Sequence, residues 1–189
     1  MSSKKNKLRI TLEGKVKLPL TLFLLVYSII VSFIVKRFIF VPMLWSNGGD
    51  YFMLKSGNCF YDKEENDFYK GVFLFMISHM FYAGFMNTPI SNIIIVIMLN
   101  VAAIYIVAIE FGVKNKIILV SFYVIILILS VINAFNFNTM AFVGAIFFFV
   151  SDAFIGIFDI LKNKSLLRHI LVWGTYVPAQ ILLLTSFIN

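Results

Sequence analysis

Of the ionisable side chains inside long apolar stretches of this 189-residue sequence, four stand out: Asp50, His79, Glu110 and Asp152, with Asp159 near the end of one stretch. An ionisable group in apolar surroundings costs free energy, so the residues kept there are the first place to look for chemistry. Two carboxyls beside a proton-handling imidazole suggest acid–base work. Neighbouring carboxyls in a poorly solvated site resist joint ionisation, so one can hold a proton while the other carries charge. Proton-coupled transport also uses buried acids, and the acids alone do not separate hydrolysis from transport.

The elements that must hold these groups are legible from composition. The chain is 61% hydrophobic and only 13% charged, with a mean hydropathy of +0.95. Soluble domains carry about 25% charged residues, so the chain belongs to the membrane class. Apolar runs cover 18–35, 38–54, 68–86, 89–111, 117–132, 139–161 and 166–187, and Asn133, Asn136 and Asn138 mark the turn between the fifth and sixth. Barrel strands alternate apolar and polar residues over about ten positions, whereas these runs are continuous over roughly 17–24 residues, the length of a spanning helix. The first run follows a basic segment, as in a signal peptide, but ends in Lys36-Arg37 without a small-residue cleavage site and is read as retained.

The expected fold is therefore all-α: a polytopic transmembrane helix bundle of seven spans. With the N-terminus inside, fourteen of the sixteen Lys and Arg residues fall on the inner side, and only Lys36 and Arg37 lie outside. That asymmetry sets N-in and C-out and accounts for the net charge of +7 without invoking nucleic acid. Residues 1–17 form a basic cytoplasmic tail and 18–189 a single transmembrane helix-bundle domain, in the plasma (inner) membrane. Cys59 is alone, so neither an internal disulfide nor a CxxC motif is possible. Two histidines are too few for a dedicated histidine metal site, and no metal or cofactor is expected. The 22 phenylalanines are read as packing and lipid-facing residues rather than a cofactor box.

Within this frame Asp152 lies about 13 Å from the inner end of its helix and Asp50 about 6 Å from the inner end of its own. Gly144, Phe148, Asp152 and Gly156 recur at steps of four and share one side of a helix. Small residues there allow close helix approach or leave room for a ligand; the plainer reading is an Asp that hydrogen-bonds across helices. Asp50 follows Ser46-Asn47-Gly48-Gly49, a polar segment that should face protein, with glycines that loosen the helix. Its plainer reading is an interfacial Asp that reaches water. Gly71, Phe75, His79 and Tyr82 share a face of another helix, where a lone histidine is commonly a neutral hydrogen-bonding residue. Tyr176 and Gln180, four apart, can direct hydrogen bonds into the same cavity. Glu110 pairs with Lys114 four residues on, or reaches for the interface. His169 falls near the inner surface and is read as solvated.

The order of these residues is more specific than their chemistry. Lys17-Leu18-Pro19-Leu20-Thr21 opens the first run, and Gly49-Asp50 ends the second. Phe68, Gly71, Phe75, His79, Tyr82 and Phe85 mark the third. Phe142-Val143-Gly144-Ala145, Phe148 and Ser151-Asp152 follow late in the chain, and Tyr176 with Gln180 mark the last helix. From about Lys17 to the C-terminus this pattern resembles the lysoplasmalogenase (YhhN-like) family of multi-pass membrane proteins.

The resemblance implies hydrolysis of the vinyl ether bond of lysoplasmalogens to a fatty aldehyde and a glycerophospho-head-group product. Asp50 and Asp152 would share the acid and base roles, in an order left open. His79, Tyr82, Ser151, Tyr176 and Gln180 would position water or the head group. The expected partners are a lysophospholipid-like substrate and membrane lipids, with no nucleic acid and no obligate protein partner. Lys55, Lys70 or Lys162 could meet the lipid phosphate, a solvated inner-face role being the plainer one. The alternative class is a non-enzymatic small-molecule or lipid transporter or binding protein, in which the two acids would line a path across the membrane instead of meeting in one cavity. A zinc hydrolase needs three protein ligands, and only His79 among the histidines lies well inside a span.

Overall fold

A computed structural model of the chain describes residues 2–55, 65–89, 116–160 and 166–188. Six helices run through them: α1 (Ser2–Val35), α2 (Phe40–Lys55), α3 (Glu65–Met86), α4 (Lys116–Phe137), α5 (Thr139–Ile160) and α6 (Leu166–Thr185). No strand occurs among the described residues. The expected helix over 89–111, with Glu110, and the polar loop after Lys55 lie outside the described residues, as do Lys114, Lys162 and the side chains of Lys55 and Asp159.

The helices are bounded by identifiable devices. α1 stops where Lys36 takes the left-handed conformation, at φ 52°, and the Arg37 amide donates back to the Ser32 carbonyl at 3.2 Å. This six-to-one bond is the Schellman closure of a helix C-terminus. The Ser32 hydroxyl then accepts from the Phe40 amide at 2.8 Å and caps α2. Pro42 is the third residue of α2, in the first turn, where a missing N–H costs nothing. Asn87, at φ 50°, ends α3 in the same left-handed way. Between α4 and α5 a single residue, Asn138, makes the reversal. Its Oδ1 accepts from the Ala141 amide at 2.8 Å, and its Nδ2 donates to the Ser186 carbonyl at 2.9 Å.

One boundary differs from the sequence expectation, and the basic N-terminal segment takes a helical form that the expectation of a tail leaves open. Residues 2–17, expected as a tail, are helical and continuous with the apolar part of α1. Their five lysines are good helix formers. Asn133 and Asn136, expected to mark a turn, lie within α4. Asn133 is buried there because its amide finds partners inside the bundle: Thr88 donates to its Oδ1, and its Nδ2 reaches the Met86 sulfur at 3.2 Å.

Among the described helices the packing closes into a ring. Each helix contacts the one before and after it, and α6 returns to α1. Close approach is set by glycine at two places. A Cβ on Gly71 of α3 would stand 3.2 Å from the Gly49 carbonyl oxygen and 3.4 Å from the Met53 amide of α2. A Cβ on Gly144 of α5 would stand 3.0 Å from the Leu183 amide and 3.1 Å from the Ala179 carbonyl oxygen of α6. Backbone cannot yield as a side-chain tip can, so these contacts fix the spacing of both helix pairs. The glycines beside Asp50 therefore pack α2 against α3 within an unbroken helix, instead of loosening it.

Exposed faces are apolar, and polar side chains share the interior with an apolar core. Outward faces carry Phe23, Ile30 and Phe33 on α1, Ile125, Ile128 and Phe135 on α4, and Ile146, Phe147 and Ile157 on α5, all exposed. Inside lie Ser28, Ser46, Ser78, His79, Asn133, Ser151, Arg168 and Gln180. Apolar side chains outward and polar ones inward suit hydrocarbon as solvent. Among the described residues three helices are long and apolar enough to cross a membrane, at Val120–Phe137, Thr139–Phe158 and Leu167–Thr185, and α1 contributes a shorter apolar stretch, Pro19–Val35. The chain is read as a membrane protein on this basis.

Gly144→Val should lower thermal stability in detergent by about 1–3 kcal/mol through overpacking against backbone. Gly156, where an added Cβ meets nothing within 4 Å, provides the contrast. Gly156→Ala should leave the unfolding midpoint unchanged or raise it slightly. Equal losses in both would show that Gly144 does not set the α5–α6 spacing.

Candidate active site

Asp50 lies on α2, whose close seating on α3 leaves room at Gly49 for one ring. A Cβ on Gly49 would come within 2.8 Å of the Phe75 ring. The polar segment before Asp50 turns inward, as expected. Ser46 is fully buried and its hydroxyl meets that of Ser78 at 2.7 Å; Ser78 in turn donates to the Pro42 carbonyl at 2.8 Å. Asp152 lies on α5, two helical turns beyond the Gly144 contact. The Ser151 hydroxyl beside it donates to the Val172 carbonyl of α6 at 3.1 Å, which ties this part of α5 to α6.

Each acid is held by a tyrosine from another helix. The Tyr176 hydroxyl of α6 donates to Asp50 Oδ2 at 2.8 Å, and the Tyr123 hydroxyl of α4 donates to Asp152 Oδ2. Both acids line one cleft of about 490 Å³ including its open mouth, together with Lys17, Met53, Phe75, Ser151, Ile155, Arg168, His169, Val172, Trp173 and Tyr176. With one carboxylate oxygen of each acid engaged by a tyrosine, the orientation of each carboxyl is fixed. The Lys17 ammonium lies 5.6 Å from the centre of the Trp173 ring, within cation–π range.

Behind the acids stands a wall of rings. Phe148 is almost fully buried and meets Phe75 at 6.1 Å, Tyr176 at 5.6 Å and His79 at 4.7 Å between centroids, all edge to face. Beyond it a second cavity is lined by His79, Tyr82, Ala83, Met86, Leu127, Ser130, Asn133, Ala145 and Leu183. The His79 Nε2 and Ser130 Oγ atoms are buried there without a hydrogen-bond partner. Tyr82 donates to Gln180 Oε1 at 2.9 Å, joining α3 to α6, whose backbones are not in contact.

The sequence candidates thus divide. Asp50, Asp152, Ser151 and Tyr176 come together in the cleft. His79 and Tyr82 line the second cavity, Gln180 links Tyr82 to Tyr176, and the His79 ring meets that of Tyr123 at 6.4 Å between centroids, so this group adjoins the two tyrosines that hold the acids. His169, expected to be solvated, is partly buried and lines the cleft. Of the two glycines expected to flank Asp152, Gly144 makes a backbone contact and Gly156 faces open space. Lys70 is engaged by Asp67 at 3.1 Å. Sequence reasoning missed Tyr123, Trp173, Lys17 and Arg168 as site residues. A tyrosine hydroxyl deep in an apolar run was the available signal for Tyr123.

The Tyr82–Gln180 bond generates a stability test. Tyr82→Phe and Gln180→Leu should each destabilise the protein, because each leaves a buried polar group unmatched. The double variant should lose less than the sum of the two, with a coupling of about 0.5–2 kcal/mol, within the range for interhelical hydrogen bonds in membrane proteins. Strict additivity in thermal or denaturant unfolding would show that the pair does not couple α3 to α6.

No curated protein and no solved structure matches the chain. A comparison with protein families matches the YhhN family over residues 14–187, which takes in every residue of the cleft and of the second cavity. The expected resemblance is therefore correct, and the chain belongs to the YhhN family.

Proposed function

We propose that the protein is a membrane-embedded hydrolase that cleaves the vinyl ether bond of lysoplasmalogens, with Asp50 and Asp152 as its acid–base pair. The observation that carries this reading is that both acids line one cleft, each oriented by a tyrosine. Acids strung along a path across the membrane would have favoured transport. The YhhN family includes lysoplasmalogenases, which supports the same reaction class.

The chemistry needs two carboxyls in opposite protonation states. One donates a proton to the vinyl carbon remote from oxygen and generates an oxocarbenium ion. The other, as carboxylate, stabilises that cation and takes a proton from the attacking water. The hemiacetal so formed collapses to a fatty aldehyde and the glycerol hydroxyl of the head-group product. Tyr176 and Tyr123 orient the acids, and Ser151 holds α5 to α6 beside them. His79, beside Tyr123, and Tyr82 and Gln180, beside Tyr176, position water or the head group through those tyrosines.

The topology that serves this reaction is seven spans with the N-terminus inside, in the plasma (inner) membrane. Residues 1–17 are the basic cytoplasmic segment and 18–189 one bundle. The cleft then opens toward the inner leaflet, where Lys17 and Arg168 lie. A single-chain lipid enters sideways, and lipid alone suffices as partner.

Purified protein should release aldehyde from lysoplasmalogen in detergent, and Asp50→Asn and Asp152→Asn should each lower kcat by about 10²–10⁴-fold, the usual worth of general acid–base catalysis. Tyr123→Phe and Tyr176→Phe should give smaller losses, since the acids remain and only their orientation slackens. Full activity in a folded Asp152→Asn variant would overturn the two-acid mechanism.

A further inference from the structure

The cleft contains more charge than the two acids. Lys17 and Arg168 line it as well, and both are buried, at 9% and 2% exposure. Their positions are unusual for cations of an inner membrane face, which ordinarily reach out to water. Arg168 is the third residue of α6, at the positive end of the helix dipole, where a cation is disfavoured and an anion favoured. Lys17 comes from α1, the ring neighbour of α6, and lies near enough to Asp50 to act on it electrostatically. Two inward-turned cations, from adjacent helices, thus share one open cleft with the proposed reaction centre.

We propose that Lys17 and Arg168 form a binding subsite for the phosphate of a glycerophospholipid head group. This rests on the hydrolase reading for its choice of lipid, and it adds the group that fixes the register of the substrate. In such a lipid only the glycerol carbons separate phosphate from ether oxygen. Arg168 and Tyr176 lie on one helix eight residues apart, about 12 Å of rise. A phosphate held near Arg168 directs the ether linkage toward the part of the cleft where Tyr176 holds Asp50, with the chain running out among the aromatic side chains. A guanidinium binds phosphate oxygens through paired N–H donors, and an ammonium supplies a point charge. The same chemistry would accept a free phosphate, and the two sources are separable by experiment.

Binding can be read without turnover. The ligand is a lysophospholipid with a saturated 1-O-alkyl ether, which has no vinyl ether to cleave, titrated by mole fraction into micelles of the full-length protein. Trp173 lines the cleft and is one of only two tryptophans, so its fluorescence in a Trp45→Phe background reports occupancy. The expected result is that the alkyl lysophospholipid binds at least about tenfold more tightly than the matching 1-O-alkylglycerol, which lacks phosphate, the margin expected of a hydrogen bond to a charged group. Arg168→Gln and Lys17→Gln should each erase most of that margin, with Arg168→Lys intermediate. Where a Gln variant fails to remain monodisperse, Arg168→Lys in a folded sample decides.

Equal affinity for the two ligands in the parent protein would overturn the subsite. So would a preference for the phospholipid that survives both Gln variants, and so would binding of inorganic phosphate that the alkyl lysophospholipid does not displace. Absence of aldehyde release would refute the hydrolase reading and leave this comparison intact. Conversely, turnover of lysoplasmalogen and of 1-alkenylglycerol with equal kcat/KM would refute the subsite while upholding the hydrolase.

Discussion

A carboxyl placed in hydrocarbon must find its partners within the protein. An ionisable residue in a span costs about 2.5–3.5 kcal/mol on insertion scales, whereas an interhelical hydrogen bond in a membrane protein returns about 0.6 kcal/mol on average. The bonds from Tyr176 to Asp50 and from Tyr123 to Asp152 therefore do not offset the cost of keeping two acids. What they do is aim the acids. Since α2 and α6 are not backbone neighbours, the Tyr176–Asp50 bond also bridges the two helices that flank α1. The acids sit where the fold is least able to justify them by stability, which directs attention to chemistry.

The remaining stability has to come from packing, and packing also sets the direction of the acids. Gly144 brings α5 onto the backbone of α6, and Asp152 follows two turns later on the same side. Gly71 and Gly49 bring α3 and α2 together next to Asp50. In each pair the residue that allows close approach lies on the helix face that carries the acid or adjoins it. A change in helix spacing would therefore rotate or shift a carboxyl as well as loosen a contact. Stability and orientation are carried by the same few small residues.

Much of this was legible in the sequence because lipid is a demanding solvent. Continuous apolar runs announced the helices, and the polar groups inside them announced Asp50, His79 and Asp152. What periodicity could not supply was the angular position of each helix in the ring. His79 and Tyr82 share a face with Phe75 and were expected to position water or the head group; they line the second cavity and reach the acids through Tyr123 and through Gln180 and Tyr176. Asn133 looked like a turn residue because Asn is common in turns; Thr88 and Met86, distant in sequence, make it a buried helix residue. Lys17 and Arg168 were read as topology signals, since a count of charges does not say which ones turn inward.

The arrangement around the acids also suits the intermediate that vinyl ether hydrolysis would form. An oxocarbenium ion needs negative charge close by and protection from stray nucleophiles until the positioned water attacks. The two carboxyls supply the charge. Phe75 and Tyr176 line the cleft and Phe148 backs them, so that side of the cleft presents π-systems, whose faces attract cations, and offers few competing donors of electron pairs. The polar groups of the second cavity reach the acids through the tyrosines that hold them: the His79 ring lies 6.4 Å from the Tyr123 ring between centroids, and Tyr82 donates to Gln180, which interacts with Tyr176. The proton inventory of the cleft thus includes these tyrosines and the His169 imidazole as well as the two aspartates.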